Sequence, residues 1–230
     1  MCVDNYLLMP GDREKIRWEN KELLKTIGYF GDSFCASERE DSWCIKLADK
    51  LGCRPTHFGR GGASIWHTFM EYEKLQFKNQ LPDYIVFCWT EPYRLYHREL
   101  PIAKGAVPIP GKDENIYKAA DMYYVYLQDY KKEELAYSYA LQWFDRHILS
   151  QKSQSHPILQ TWSMRPFELG GREVELQLTT GKFVDESMLE FAWGGTKPQG
   201  GFKFDINLAN HMTVEQNEKW AQKMFDGFME

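Results

Sequence analysis

The run Tyr84-Ile85-Val86-Phe87-Cys88-Trp89 carries neither a charge nor a helix breaker, and Pro82-Asp83 and Thr90-Glu91-Pro92 bound it on either side. It is far shorter than the roughly 20 apolar residues a membrane-spanning helix requires. A continuous apolar strand of this length belongs inside a sheet that is covered on both faces, which is the usual situation of parallel strands. Thr26-Ile27-Gly28-Tyr29-Phe30 and Pro157-Ile158-Leu159-Gln160-Thr161-Trp162 have the same character, and a shorter strand is expected at Thr56-His57-Phe58.

Helical patterns separate these runs. Asp41 stands where it can cap a helix through Trp43, Ile45, Leu47, Ala48 and Leu51, which Gly52 can end. From Ser64 to Asn79, Ile65, Phe69, Tyr72 and Leu75 share one stripe. A Pro- and Gly-rich loop over 100–113 leads into a long helical tract over 116–149 that is crowded with tyrosines, among them Tyr123, Tyr124, Tyr126, Tyr130, Tyr137 and Tyr139. Thr213-Val214-Glu215-Gln216 matches a capping box and opens a last helix with Trp220, Met224 and Phe228 on its inner face. Residues 163–204, with glycine pairs at 170–171, 194–195 and 200–201, read as loops. The alternation predicts an α/β fold, a parallel sheet covered by helices, in one domain over 1–230. An irregular N-terminal extension covers 1–24, and 100–150 form a helical insertion.

Charge and cysteine usage narrow the function. Lys+Arg 28 against Asp+Glu 33 leaves a net charge of −5. Affinity for nucleic acid comes largely from cations that neutralise phosphates, so a nucleic-acid partner is not expected. The opening residues MCVDNYLLMPGDREK lack an export signal, and the chain is expected to be soluble and cytoplasmic, with no membrane partner. Five cysteines without a CxxC pair read as free thiols. The six histidines show no metal-ligand spacing, so neither a metal nor an organic cofactor is expected.

In an open parallel sheet, ligands bind beyond the carboxyl ends of the strands. Gly31-Asp32-Ser33, Gly59-Arg60-Gly61-Gly62 and Thr90-Glu91 fall at three such ends, and His211 precedes the last helix, where a loop can bring it over the same edge. A serine hydroxyl needs a base to take its proton during attack, and an imidazole suits that task. Backbone N–H groups at tight glycine turns can hold the oxyanion that forms. Alone, Gly-Asp-Ser reads as a turn and His211 as a surface or capping residue; their order and strand-end placement give them meaning together. Gly59-x-Gly61 begins like a dinucleotide fingerprint, but Ser64 and the position after the second strand argue against it. Phe34-Cys35 after Ser33 removes the G-x-S-x-G elbow.

The run Ile27-Gly28-Tyr29-Phe30-Gly31-Asp32-Ser33-Phe34 resembles the first block of the SGNH/GDSL hydrolase family, Phe58-Gly59-Arg60-Gly61-Gly62-Ala63-Ser64 its second, and Asn210-His211 its last. The resemblance implies a flavodoxin-like three-layer α/β/α sandwich and hydrolysis of ester bonds, with a small-molecule or carbohydrate ester as substrate. It makes Ser33 the nucleophile, His211 the base, and the N–H groups of Ser33 and Gly62 oxyanion donors.

Two departures bear on the chemistry. Glu91 stands where the family has an asparagine that donates to the oxyanion, and an ionised carboxylate cannot donate. Either the Thr90 hydroxyl supplies that donor or Glu91 points away, toward Arg94 or Arg60. The family's aspartate three residues before the histidine is replaced by Leu208, which leaves Asp205 as the nearest acid, or a Ser–His dyad without one. Arg60, Glu91 and Arg94 are candidate substrate-binding residues; equally, the arginines can neutralise Glu91 and Asp32. The departures also admit a weakened or inactive glycan-binding or structural module on the same fold, and a nucleotide-binding flavodoxin-like protein is a third reading.

Overall fold

The computed structural model describes residues 24–106, 108–165, 176–194 and 208–230. Five strands form one sheet: β1 (Thr26–Gly31), β2 (Arg54–His57), β3 (Tyr84–Trp89), β4 (Ile158–Trp162) and β5 (Lys182–Ser187). Their order is β2-β1-β3-β4-β5, and every adjacent pair is parallel. This is the doubly wound, flavodoxin-like order, whose winding reverses between β1 and β3.

The apolar runs supply both faces of that sheet, because successive side chains of a strand point to opposite sides. Ile27 and Tyr29 of β1, Val86 and Cys88 of β3 and Leu159 of β4 pack into one core with α1 (Trp43–Leu51) and α6 (Val214–Met229). Phe30, Ile85, Phe87, Trp89, Ile158 and Trp162 face the other way, against α2 (Ile65–Phe77) and α4 (Tyr130–His147). The molecule is therefore a three-layer α/β/α sandwich. A one-residue slip would exchange the two cores, and each large side chain is worth about 1.5–3 kcal/mol when buried, so the register is strongly held. Gln160, buried in the middle of β4, has its polar atoms satisfied. It accepts from Trp89 Nε1 at 2.8 Å and donates to Asp145 Oδ1 at 2.7 Å and Thr180 O at 2.8 Å.

Several local expectations are corrected. The cap of α1 is Ser42, whose hydroxyl accepts from Ile45 N, while Asp41 is taken by Arg39 in a two-point ion pair. Strand β2 begins two residues earlier and ends one earlier than the apolar pattern indicates, at the sheet edge, where Arg54 and Pro55 are tolerated. The long helical tract is two helices, α3 (Glu114–Tyr126) and α4, because Asp129 accepts from Lys132 N at 3.0 Å and starts a new cap. Helix α4 is the β3–β4 crossover, with Tyr137, Leu141 and Phe144 on the sheet, whereas α3 covers a separate cluster of Leu100, Ile102, Tyr117 and Tyr124. Tyr126 and Tyr139 face solvent. Within 163–204, Lys182–Ser187 forms the fifth strand and Met188–Ala192 a short helix, α5. The capping box at Thr213 and Gln216 is present and opens α6.

Candidate active site

The strand ends of β1, β2 and β3 meet at one rim, and hydrogen bonds join their loops. Asp32, fully buried, leads out of β1 and caps a 3-10 turn over Ser33–Cys35 by accepting from Phe34 N at 3.0 Å. Phe34 and Cys35 are buried beneath the turn, and the Trp43 indole donates to Phe34 O at 2.7 Å. Ser33 itself is half-buried. The loop after β2 is stitched to this turn, since Gly59 N donates to Cys35 O at 3.0 Å and Arg60 N to Gly31 O at 2.9 Å. A Cβ on Gly59 would lie 2.4 Å from Cys35 Sγ and 2.7 Å from Asp32 O, so no larger residue lets the two loops approach this closely. Gly62 turns back at φ +69°. No acceptor among the described residues engages the N–H of Ser33 or Gly62.

His211 reaches the same rim from the other end of the chain. It closes a 3-10 turn over Ala209–His211 that packs against the Ser33 turn, with its ring edge-on to Phe34 at 5.1 Å between centroids. Asn210 and His211 both take left-handed backbone, φ +51° and +61°. Such positions cost on the order of 1–3 kcal/mol, and Asn and His are among the residues that tolerate them. Two asparagines offset the cost. The Asn210 amide accepts from Ser37 N at 3.0 Å, and Asn217 of α6 donates to Ala209 O at 3.0 Å and Met212 O at 2.9 Å while accepting from Trp43 N at 2.8 Å. The two asparagines thus tie the histidine turn to the segment that follows Ser33. Asn217 was not legible in the sequence, where it is one polar residue on a helix.

Beneath the rim lies a buried charge cluster. Arg94 donates to Asp32 Oδ2 at 3.0 Å, Glu91 Oε1 at 2.8 Å and Ala63 O at 3.1 Å, so one guanidinium binds the loops that follow β1, β2 and β3. Glu91 also accepts from Tyr93 N at 2.5 Å. Burial pushes the Glu91 carboxyl up, against the opposing pull of Arg94. Burial would lower the Arg94 guanidinium, but Asp32 and Glu91 outweigh it and hold the group charged. Of the two sequence alternatives, Glu91 points toward Arg94.

These contacts bear on the expected roles of Thr90, Glu91, Arg94 and Arg60. The Thr90 hydroxyl donates its one proton to Asp32 Oδ2 at 2.9 Å and has none left for an oxyanion. Glu91 and Arg94 are buried and engaged with each other, so neither offers its charge to a substrate. Arg60 is exposed, and its guanidinium donates to the carbonyls of Arg98 and Glu99, fastening the glycine loop to that segment. Asp205 lies outside the described residues. His67, which the sequence did not single out, is buried at the start of α2 and completes its capping box with Ser64.

Two clefts open beside the rim. One of about 220 Å³ is lined by Gly59, Arg60, His57, Phe58, His67 and Glu71. The other, about 190 Å³, is aromatic, with Trp66, Tyr93, Tyr96, Tyr123 and Tyr137 around Glu133. Among the described residues, no group of three His, Cys, Asp or Glu is placed to hold a metal, and Cys35, Cys44, Cys53 and Cys88 are free thiols. No described helix is long and apolar enough to cross a membrane.

No family model matches the chain, and no curated protein does. Solved structures similar to it include the following three. A psychrotrophic esterase, EstA, from Pseudoalteromonas sp., in a structure inhibited by monoethylphosphonate, aligns over 89% of this chain and 97% of its own, at 14% identity and a TM-score of 0.46. A putative lipolytic protein of the G-D-S-L family from Desulfitobacterium hafniense aligns over 88% and 99%, at 9% identity and 0.43. An acetyl xylan esterase from the rumen bacterium Butyrivibrio proteoclasticus aligns over 90% and 65%, at 10% identity and 0.39. All three TM-scores lie below 0.5, so these neighbours decide nothing about the chemistry of this chain.

Proposed function

We propose that this chain is a serine hydrolase that cleaves an ester, with an acetyl or other short acyl ester of a carbohydrate as its substrate. The observation that supports this reading is the packing of the Ser33 turn against the His211 turn at the carboxyl edge of the sheet. Ser33 Oγ attacks the ester carbonyl as its proton passes to His211. The oxyanion is received by the N–H groups of Ser33 and Gly62. Collapse expels the alcohol, which takes the proton from His211, and leaves an acyl-serine. A water deprotonated by His211 then releases the acid and restores the serine. Asp205 is the acid assigned to orient the imidazole. Arg60, exposed beside the glycine loop, is assigned to the substrate, and the aromatic cleft offers ring faces on which a sugar can stack.

With the Thr90 hydroxyl held by Asp32, the oxyanion hole has two backbone donors and lacks a side-chain third. One missing donor lowers the rate about 10²–10³-fold, which slows such an enzyme without abolishing it. The same observation favours the second reading, a glycan-binding module with little chemistry left. Turnover of a short-chain aryl ester separates the two. Under the hydrolase reading, wild type turns over and Ser33→Ala does not, with the fold intact; equal rates in both proteins would exclude Ser33 as nucleophile.

A further inference from the structure

Helix α4 presents to solvent a face that its role as a crossover does not explain. Its inner side fills the sheet with Tyr137, Leu141 and Phe144. Its outer side carries Leu135, Tyr139 and Trp143, which are 51%, 66% and 54% exposed. Their four-residue spacing aligns them in one stripe down the helix. Helix α2 lies alongside, with Phe69 stacked on Phe144 at 4.1 Å, and adds Trp66 and Met70 at 46% and 51% exposure.

The charge exposed on the outer side of α4 is mostly basic. Lys131 and Lys132 stand exposed at one end of the stripe, beside the exposed capping residue Asp129, and Arg146 stands exposed at the other. The other acids of the helix are turned away: Glu134 and Asp145 are buried, and Glu133 is held by Tyr123 and Gln128. In a chain of net charge −5, the three exposed cations here outnumber the one exposed acid.

We propose that this face docks on an anionic lipid surface, with α4 lying in the plane of the headgroups. Tyr and Trp rings prefer the boundary between headgroups and acyl chains. A helix with an aromatic and aliphatic stripe beside basic residues binds there through shallow apolar burial and attraction to lipid phosphates. Self-association along the stripe is disfavoured, because exposed cations outnumber the exposed acid and a second copy would bring the same excess against them. The face is a ridge of side chains on a helix, which a deformable phase accommodates readily.

The test is co-sedimentation of the full-length protein with phosphatidylcholine vesicles, with and without phosphatidylglycerol. The proposal expects binding to the vesicles that contain phosphatidylglycerol, weakened by added salt. The pair Tyr139→Ser and Trp143→Ser should lower binding at least about tenfold. Lys131→Ala and Lys132→Ala should each lower it about fivefold and weaken the preference for the anionic lipid. All four positions are exposed, so unchanged thermal unfolding of the variants is expected and is checked in parallel. Failure to sediment with anionic vesicles overturns the proposal, as does binding that none of the variants alters. Concentration-dependent self-association that Trp143→Ser abolishes, without vesicle binding, assigns the face to a second copy and overturns it as well.

Discussion

The guanidinium of Arg94 lies 3.0 Å from the carboxylate of Asp32, and both side chains are buried. Asp32 begins the turn that carries Ser33, and Arg94 also holds Glu91 and the carbonyl of Ala63. The candidate site therefore stands on a buried ion cluster that joins three loops, among them those that carry the N–H groups of the proposed donors Ser33 and Gly62.

Removing one partner of a buried pair strands the other charge, which costs about 3–5 kcal/mol. Arg94→Met is expected to lose stability of that size in urea unfolding, because Asp32 and Glu91 would face each other without a cation. A loss below about 1 kcal/mol would mean that the cluster contributes little.

Asn210 combines left-handed backbone with a side-chain acceptor for Ser37 N. Asn210→Ala forfeits both and should cost about 1–3 kcal/mol, whereas Asn210→Gly keeps the backbone freedom and should cost less. Chemical denaturation of the two variants gives the order directly. Under the hydrolase reading, aryl-ester turnover should fall in the same order, since the turn that carries His211 is displaced more in the alanine variant.

Gly59→Ala places a methyl group against Cys35 Sγ and Asp32 O. Overpacking of this kind costs about 1–3 kcal/mol and must push the loop away from the Ser33 turn. Gly61→Ala, in open space two residues on, is the control and should leave thermal unfolding nearly unchanged.

Burial lowers the imidazole of His57, against the opposing pull of Glu71, and burial followed by the Arg60 charge lowers that of His67. In the unfolded chain both titrate near about 6.5. Their contribution to stability is therefore complete above that pH and is lost as the pH falls through their lower folded values, where the unfolded chain binds protons first. The melting temperature should begin to drop below about pH 6.5, and His57→Gln should flatten that limb; a limb of unchanged slope would assign it to other groups.

The central sheet was legible because β1, β3 and β4 are buried on both faces and read as unbroken apolar runs. Strand β5, Lys-Phe-Val-Asp-Glu-Ser, lies at the sheet edge with Phe183 against one core and Val184 against the other, and its polar residues hid it. The long tract of tyrosines read as one helix because its periodicity continues across Leu127–Asp129; the break depends on a single capping carboxylate. At the rim, Asp32 as a brace of its turn and Glu91 pointing toward Arg94 were both within reach of the sequence. The link between Arg94 and Asp32 required the sheet order, which places the ends of β1 and β3 side by side. The bond from Trp43 N to Asn217, which spans 174 positions, leaves no local pattern at all.

The hydrolase reading depends on a Ser33 hydroxyl made nucleophilic by His211. Mass spectrometry of the native protein after exposure to a fluorophosphonate measures that property directly. The reading predicts a single stoichiometric adduct on Ser33, lost in Ser33→Ala and formed at least about a hundredfold more slowly in His211→Ala. Folded protein that remains unlabelled, or that is labelled at another residue, would contradict it.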